Sequence, residues 1–111
     1  EKNMSSDVLA IKPLTSSGRV QGFIGTGAGT ATNLGPIRIK SIQAQSSAAD
    51  AVIIIYDGTS ASSTKIKAQF KFGSGANESF DHYIPGDGIK FNTGAYVALT
   101  NCDYFVAYYT G

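Results

Sequence analysis

The chain has 111 residues, nine Lys and Arg against eight Asp and Glu, and a formal net charge of +1. That length serves one hydrophobic core rather than two, and the balance excludes an electrostatically driven nucleic-acid or membrane binder. Only 15% of residues are charged, against roughly 25% in ordinary soluble proteins; Gly, Ala, Ser and Thr fill the gap, a composition suited to a chain that rests against other subunits.

Residues 1–17 read as an N-terminal arm and residues 18–111 as the folded domain. Within the arm, "DVLAIKPL" (7–14) is extended, either free or as an edge strand, because Pro13 cannot donate a ladder hydrogen bond. Its apolar side chains Val8, Leu9, Ile11 and Leu14 are candidate interchain contacts. The N-terminus lacks the apolar stretch of a signal peptide. No apolar run approaches the ~18–20 residues of a membrane span.

From residue 18 onward, strand signals recur every 8–12 residues and helical periodicity is nearly absent. "GRVQGFIG" (18–25) is a glycine-bounded strand, followed by a loop, "TGAGTATNLG". The run "GTGAGT" (25–30) brushes against a phosphate-binding fingerprint. No helix signal follows it and no Gly-Lys-Ser/Thr completes a P-loop, so a loop is the reading. "PIRIKSIQAQ" (36–45) alternates through Ile37 and Ile39, and keeps its phase past Ser41-Ile42 only if a bulge intervenes.

"AVIIIYDG" (51–58) is almost unbroken in its apolar character, which fits a strand covered on both faces or one buried at a subunit contact. Its terminal Asp-Gly is a hairpin signal. "KIKAQFKF" (65–72) alternates without fault, placing Ile66, Ala68, Phe70 and Phe72 on one face. The opposite face carries Lys65, Lys67 and Lys71, a stripe that is either solvated, an edge guard against strand pairing, or a contact for an acidic partner. "ESFDHYI" (78–84), "IKF" (89–91), "AYVALT" (95–100) and "DYFVAYYT" (103–110) complete the series. "PGDG" between the first two has turn chemistry, since proline fixes φ and glycine accepts positive φ, and it reads as the corner where one strand turns into the next. The sum is all-β: a single antiparallel sandwich of about eight strands, jelly-roll-like or immunoglobulin-like, with an extended N-terminal arm.

Chemistry-bearing residues are sparse. Cys102 is the single cysteine, which excludes an internal disulfide. It has no motif linking it to His82, the only histidine, so it reads as a small half-buried residue rather than a nucleophile. Asp81, His82 and Asp87 are close in sequence, but strand alternation sends Asp81 and His82 to opposite faces, against a shared metal. Tyr104, Tyr108, Tyr109 and Phe105 occupy both faces of the last strand, which favours packing over a sugar platform. The reading is therefore a protein that is not an enzyme, with no cofactor and no metal.

The C-terminal half, from "VIIIYDGTS" through "KIKAQFKF" to "HYIPGDGIKFNTGAYVALTNCDYFVAYYTG", resembles small virion proteins of tailed bacteriophages, marine and cyanobacterial ones especially. The matching residues are Ile84, Pro85, Gly86, Asp87, Gly88, Ile89, Phe91, Gly94, Val97, Leu99, Thr100 and Asn101. The resemblance covers residues 18–111, most closely the last thirty, and rests on turn and core positions. It implies a small β-sandwich on the virion, most naturally a head decoration (cement) protein made in the host cytoplasm and carried on the capsid surface. Its implied partners are the major capsid protein and further copies of itself, a trimer being one symmetry that fits, with residues 1–14 and "GTGAGTATN" in the contacts. The rival expectation is a tail or surface-fibre component that binds host carbohydrate.

Overall fold

The computed structural model describes residues 8–23 and 31–110, so residues 1–7, residues 24–30, which include most of the "GTGAGTATN" loop, and residue 111 lie outside the description. The described chain is all-β. Its strands are β1 (Leu9–Ala10), β2 (Gly18–Arg19), β3 (Gln21–Phe23), β4 (Ala31–Asn33), β5 (Ile37–Ser46), β6 (Ala51–Asp57), β7 (Ile66–Phe72), β8 (Ser79–Tyr83), β9 (Ile89–Phe91), β10 (Ala95–Thr100) and β11 (Cys102–Thr110). The first sheet, A, runs β1-β11-β5-β8, with β9 also paired to β5; the second, B, runs β2-β10-β6-β7; β3 and β4 form a separate hairpin. Every pairing is antiparallel.

This order decides between the two architectures left open by the sequence. Taking β1, β2, β5, β6, β7, β8, β10 and β11 as eight successive strands, the first, eighth, third and sixth make one sheet, and the second, seventh, fourth and fifth make the other. That is the jelly-roll order, built from two Greek keys. The β3–β4 hairpin is an insertion between the second and third strands, and β9 prolongs the sixth.

The inward positions of both sheets fill one core. Ile37, Ile39, Ile42, Ala44, Phe91, Phe105, Ala107 and Tyr109 come from sheet A; Ile53, Ile55, Ala95 and Val97 come from sheet B. Phe91 and Phe105 are fully buried, as the largest apolar payloads in the layer. One flank of the sandwich closes on aromatic rings from the two edge strands β7 and β8. Phe72 stacks on Phe80 with centroids 4.7 Å apart, and Phe70 packs against His82 at 5.1 Å.

Three local expectations meet corrections or refinements. The phase slip in β5 is a real bulge: Tyr108 pairs with Ser41 but Tyr109 pairs with Ile39, leaving Lys40 as the extra residue. The "PGDG" turn, by contrast, does not reverse the chain. β8 and β9 both run antiparallel to β5 along the same edge, and Ile84 still donates to Lys40 O at 2.9 Å before the ladder resumes at Ile89 opposite Ile39. Residues 85–88 therefore loop out of a continuing edge strand. The segment read as an N-terminal arm is, over residues 8–14, laid along β11. Ile11 N–H donates to Ala107 O at 3.0 Å, Leu14 forms a bridge with Phe105, and the Ile11 side chain is 1% exposed inside the core.

Candidate docking surface

In an antiparallel sandwich each strand turns one side chain to the core and the next to water, so outer positions are ordinarily polar. Sheet B departs from this. Cross-strand register puts Tyr96 opposite Tyr56 and Tyr56 opposite Ile66; Ala98 opposite Ile54 and Ile54 opposite Gln69; Thr100 opposite Val52 and Val52 opposite Lys71. Ile53, Ile55, Ala95 and Val97 point into the core, so these three rows form the outer face. It is apolar at its centre, with Val52 and Ile54 half-buried, Tyr56 and Tyr96 tilted against each other at 6.4 Å, and Ala98 beside them. Ile66 continues the patch to the edge with 43% exposure, because a register shift between Ile55 and Tyr56 turns it outward instead of inward with Ala68 and Phe70. Tyr56 is itself nearly covered, at 8% exposure, so the open part of the face is Val52, Ile54, Tyr96, Ala98 and Ile66.

The three candidate lysines rim that face. Lys65, Lys67 and Lys71 are exposed on or beside the edge strand β7. Lys71 Nζ lies 3.9 Å from Asp50 Oδ1 with both side chains well solvated, an arrangement worth little to stability. The lysines are thus solvated and accessible, with Asp50 beside Lys71 and Asp57 near Lys67. The four candidates from the arm separate: Val8 and Leu9 are 55% and 52% exposed at the free edge of sheet A, Leu14 is half-buried, and Ile11 is in the core and offers nothing to a partner. The apolar centre, Val52, Ile54, Tyr56 and Tyr96, was missing from the candidate residues. Its signal was the unbroken run "AVIIIY", whose outward half has to lie against something.

The opposite outer face, on sheet A, has a different character. Tyr104, Tyr108, Gln43, Gln45, Ser41, Asp81 and Tyr83 lie along it in register, and a cleft of about 410 Å³ opens over Ser41, Gln43, Asp81, Tyr83 and Tyr108. Tyr109 and Phe105 instead point into the core.

Two further titratable groups, Asp57 and Cys102, are shifted by their structural surroundings. Partial burial raises the pKa of Asp57, but backbone N–H groups of Thr93, Asn92 and Gly94, with Lys67 nearby, outweigh it and hold the carboxylate below its usual range. Asp57 thereby fastens the turn after β9, accepting from Asn92 N at 3.1 Å and Thr93 N at 3.0 Å. Burial pushes the Cys102 thiol up, away from the reactive thiolate. His82 lies against Phe70 and Phe80 at the flank, while Asp81 stands on the outer face of sheet A opposite Gln43, so the two do not converge. Among the described residues no group of three or more His, Cys, Asp or Glu comes close enough to hold a metal ion. No described helix is long and apolar enough to cross a membrane. No protein-family model, curated protein or solved structure matches the chain.

Proposed function

We propose that this chain is a structural virion protein of a tailed bacteriophage, a decoration protein that docks on the outer head lattice and stabilises it by bridging capsid subunits. The observation that carries the reading is the apolar outer face of sheet B. Half-buried Val52, Ile54 and Tyr96 and exposed Ile66 stand around a nearly buried Tyr56 where polar residues are ordinarily found, and contiguous apolar patches mark interaction sites. Lys65, Lys67 and Lys71, on or beside β7, outnumber the neighbouring Asp50 and Asp57 and are complementary to a capsid surface with carboxylates around an apolar centre. Copies of the chain then meet side by side on the lattice, through edges such as β1 and β7. The jelly-roll order is compatible with this role, being common to viral capsid proteins and to lectins, and it does not decide between them.

The test is stoichiometry in purified particles by quantitative mass spectrometry against the major capsid protein. One copy per capsid subunit, or a simple fraction such as one-third, is expected of a cement protein. A handful of copies per particle would move the chain to the tail or a vertex and overturn the head placement; absence from the particle would overturn the virion reading altogether.

A further inference from the structure

We propose that the cleft on the outer face of sheet A, between Tyr83 and Tyr108, binds a neutral saccharide. The proposal is independent of the docking face, which lies on the other side of the sandwich.

The cleft is built by register. Tyr108 of β11 is opposite Ser41 of β5, and Ser41 is opposite Tyr83 of β8, so the three side chains form one row across the sheet. The two tyrosines stand two strand spacings apart, roughly 10 Å, with the small serine as floor between them. That separation admits one sugar ring between, or stacked on, the aromatic walls. In the next row Gln43 faces Asp81, supplying an amide that both donates and accepts and a carboxylate that accepts from hydroxyls. The cleft is shallow and open to solvent, and its volume of about 410 Å³ falls at the lower end of the range for small-ligand sites.

Two irregularities adjoin this row, lying between it and the Ile39–Ile89 row, and a further register shift in the sheet falls between Cys102 and Tyr104. The β5 bulge at Lys40 falls immediately before Ser41, and the 85–88 loop-out begins just after Tyr83 and Ile84. Lys40 Nζ donates to Gly86 O at 3.2 Å, tying the two together. Bulges concentrate where a side chain must be re-aimed. Tyr83, beside both, is 69% exposed, the most exposed large apolar side chain among the described residues, and contributes nothing to the core.

The lining also narrows the ligand class. No lysine or arginine lines the cleft, and its one charged side chain is Asp81. Phosphate, sulfate and sialic-acid carboxylates meet the Asp81 carboxylate in the lining itself, while the cations of this edge lie outside it, Lys40 held to Gly86 O and the exposed Arg38 and Lys90 one row beyond the bulge. A neutral hexose offers what the lining can use: an apolar C–H face for tyrosine and hydroxyls for Gln43, Asp81 and Ser41.

The experiment is saturation-transfer NMR on the full chain with free neutral hexoses, neutral oligosaccharides of the cell-surface type, and sialylated and sulfated controls, followed by titration calorimetry on any ligand found. Transfer to ring protons of a neutral sugar is expected, with Kd on the order of 1 mM. Tyr108→Ala and Tyr83→Ala should each weaken binding about tenfold or more, and Lys71→Ala, on the far sheet, should leave it unchanged. Binding by oligosaccharides alone would assign the site to a polysaccharide; equal binding by free hexose would assign it to the monosaccharide unit. Circular dichroism verifies that the exposed-site variant Tyr83→Ala stays folded. Absence of transfer from every neutral sugar at ~10 mM, binding indifferent to both tyrosine variants, binding of charged sugars alone, or occupancy by peptide in place of sugar would each overturn the assignment while leaving the particle stoichiometry untouched.

Discussion

The hydroxyl of Ser46, fully buried at the end of β5, donates to the Gly75 carbonyl at 2.6 Å and accepts the Glu78 N–H at 3.0 Å. Its backbone closes the same junction, donating to Glu78 O and accepting from Asn77 N–H. One residue thus fastens the 73–78 connection, by which the chain crosses from sheet B to sheet A, onto the strand that connection must join. Ser46→Ala leaves Gly75 O and Glu78 N–H without these partners in a place where water reaches poorly, so the loss should be about 1–3 kcal/mol. Thermal unfolding should fall by roughly 4–15 °C, and hydrogen exchange should quicken first at residues 75–80.

Asp57 and Glu78 set an acid limit to stability. The folded-state pKa of each lies below its ordinary value, 3.8 for Asp57 and 4.5 for Glu78; for Glu78 the cause is the Ser74 side chain, then the Ser74 backbone N–H. A carboxyl whose pKa is depressed by folding contributes stability that is present above the unfolded pKa and lost as pH falls through the folded one. The melting temperature should therefore be level from about pH 7 to 5 and decline from about pH 4 downward. Asp57→Asn should flatten part of that decline while lowering the neutral-pH plateau, and melts recorded across the range check both.

Gly86 and Gly88 sit two residues apart in the loop-out, and the structure separates their roles. Both have positive φ, +70° and +81°. A Cβ on Gly86 would meet nothing within 4 Å, whereas one on Gly88 would stand 2.4 Å from Ile39 O, part of the backbone that resumes the ladder. Gly86→Ala should cost only the backbone strain of about 1–2 kcal/mol. Gly88→Ala adds a clash that neither strand can relieve without breaking the β5–β9 pairing, for a total of roughly 3 kcal/mol or more. Chemical denaturation of the two variants side by side is the measurement, and equal losses would contradict this account of the loop.

That loop also marks the boundary of what local sequence specifies. Pro85, Gly86 and Gly88 announce their dihedral angles, and the turn was legible for that reason. Whether the chain reverses or continues there depends on which strand lies alongside, and the β5 partner is more than forty residues away. The same division runs through the rest of the fold. The β5 bulge was legible because Ile39 and Ile42 are out of phase within one segment. The jelly-roll order was not, because it consists only of nonlocal pairings. Ile11 was misplaced since two or three residues of edge strand are too few to display a period, and β4 passed as loop because "ATN" is short and polar. The outer face of sheet B was half legible: the run "AVIIIY" fits a strand covered on both faces or buried at a subunit contact, but which side the chain itself covers follows from register with β10 and β7.

Ile54 and Ile55 put that last point to the test, because they are adjacent, alike in volume and opposite in orientation. Ile55 is fully buried in the core, and Ile54 is half-buried on the outer face of sheet B, opposite Ala98 and Gln69. Ile55→Ala removes packed methyl groups and leaves a cavity, costing about 2–5 kcal/mol. Ile54→Ala gives up only partial burial, about 1 kcal/mol. Ile54→Asp should likewise fold, since its carboxylate can reach water, and it should abolish attachment to undecorated heads by introducing a charge at the apolar centre. Cosedimentation with such heads, alongside denaturation of all three variants, distinguishes a docking face from a structural one. Attachment retained by Ile54→Asp would place the contact elsewhere on the molecule, and unfolding of Ile54→Asp would mean that the outer face is held by the chain's own packing.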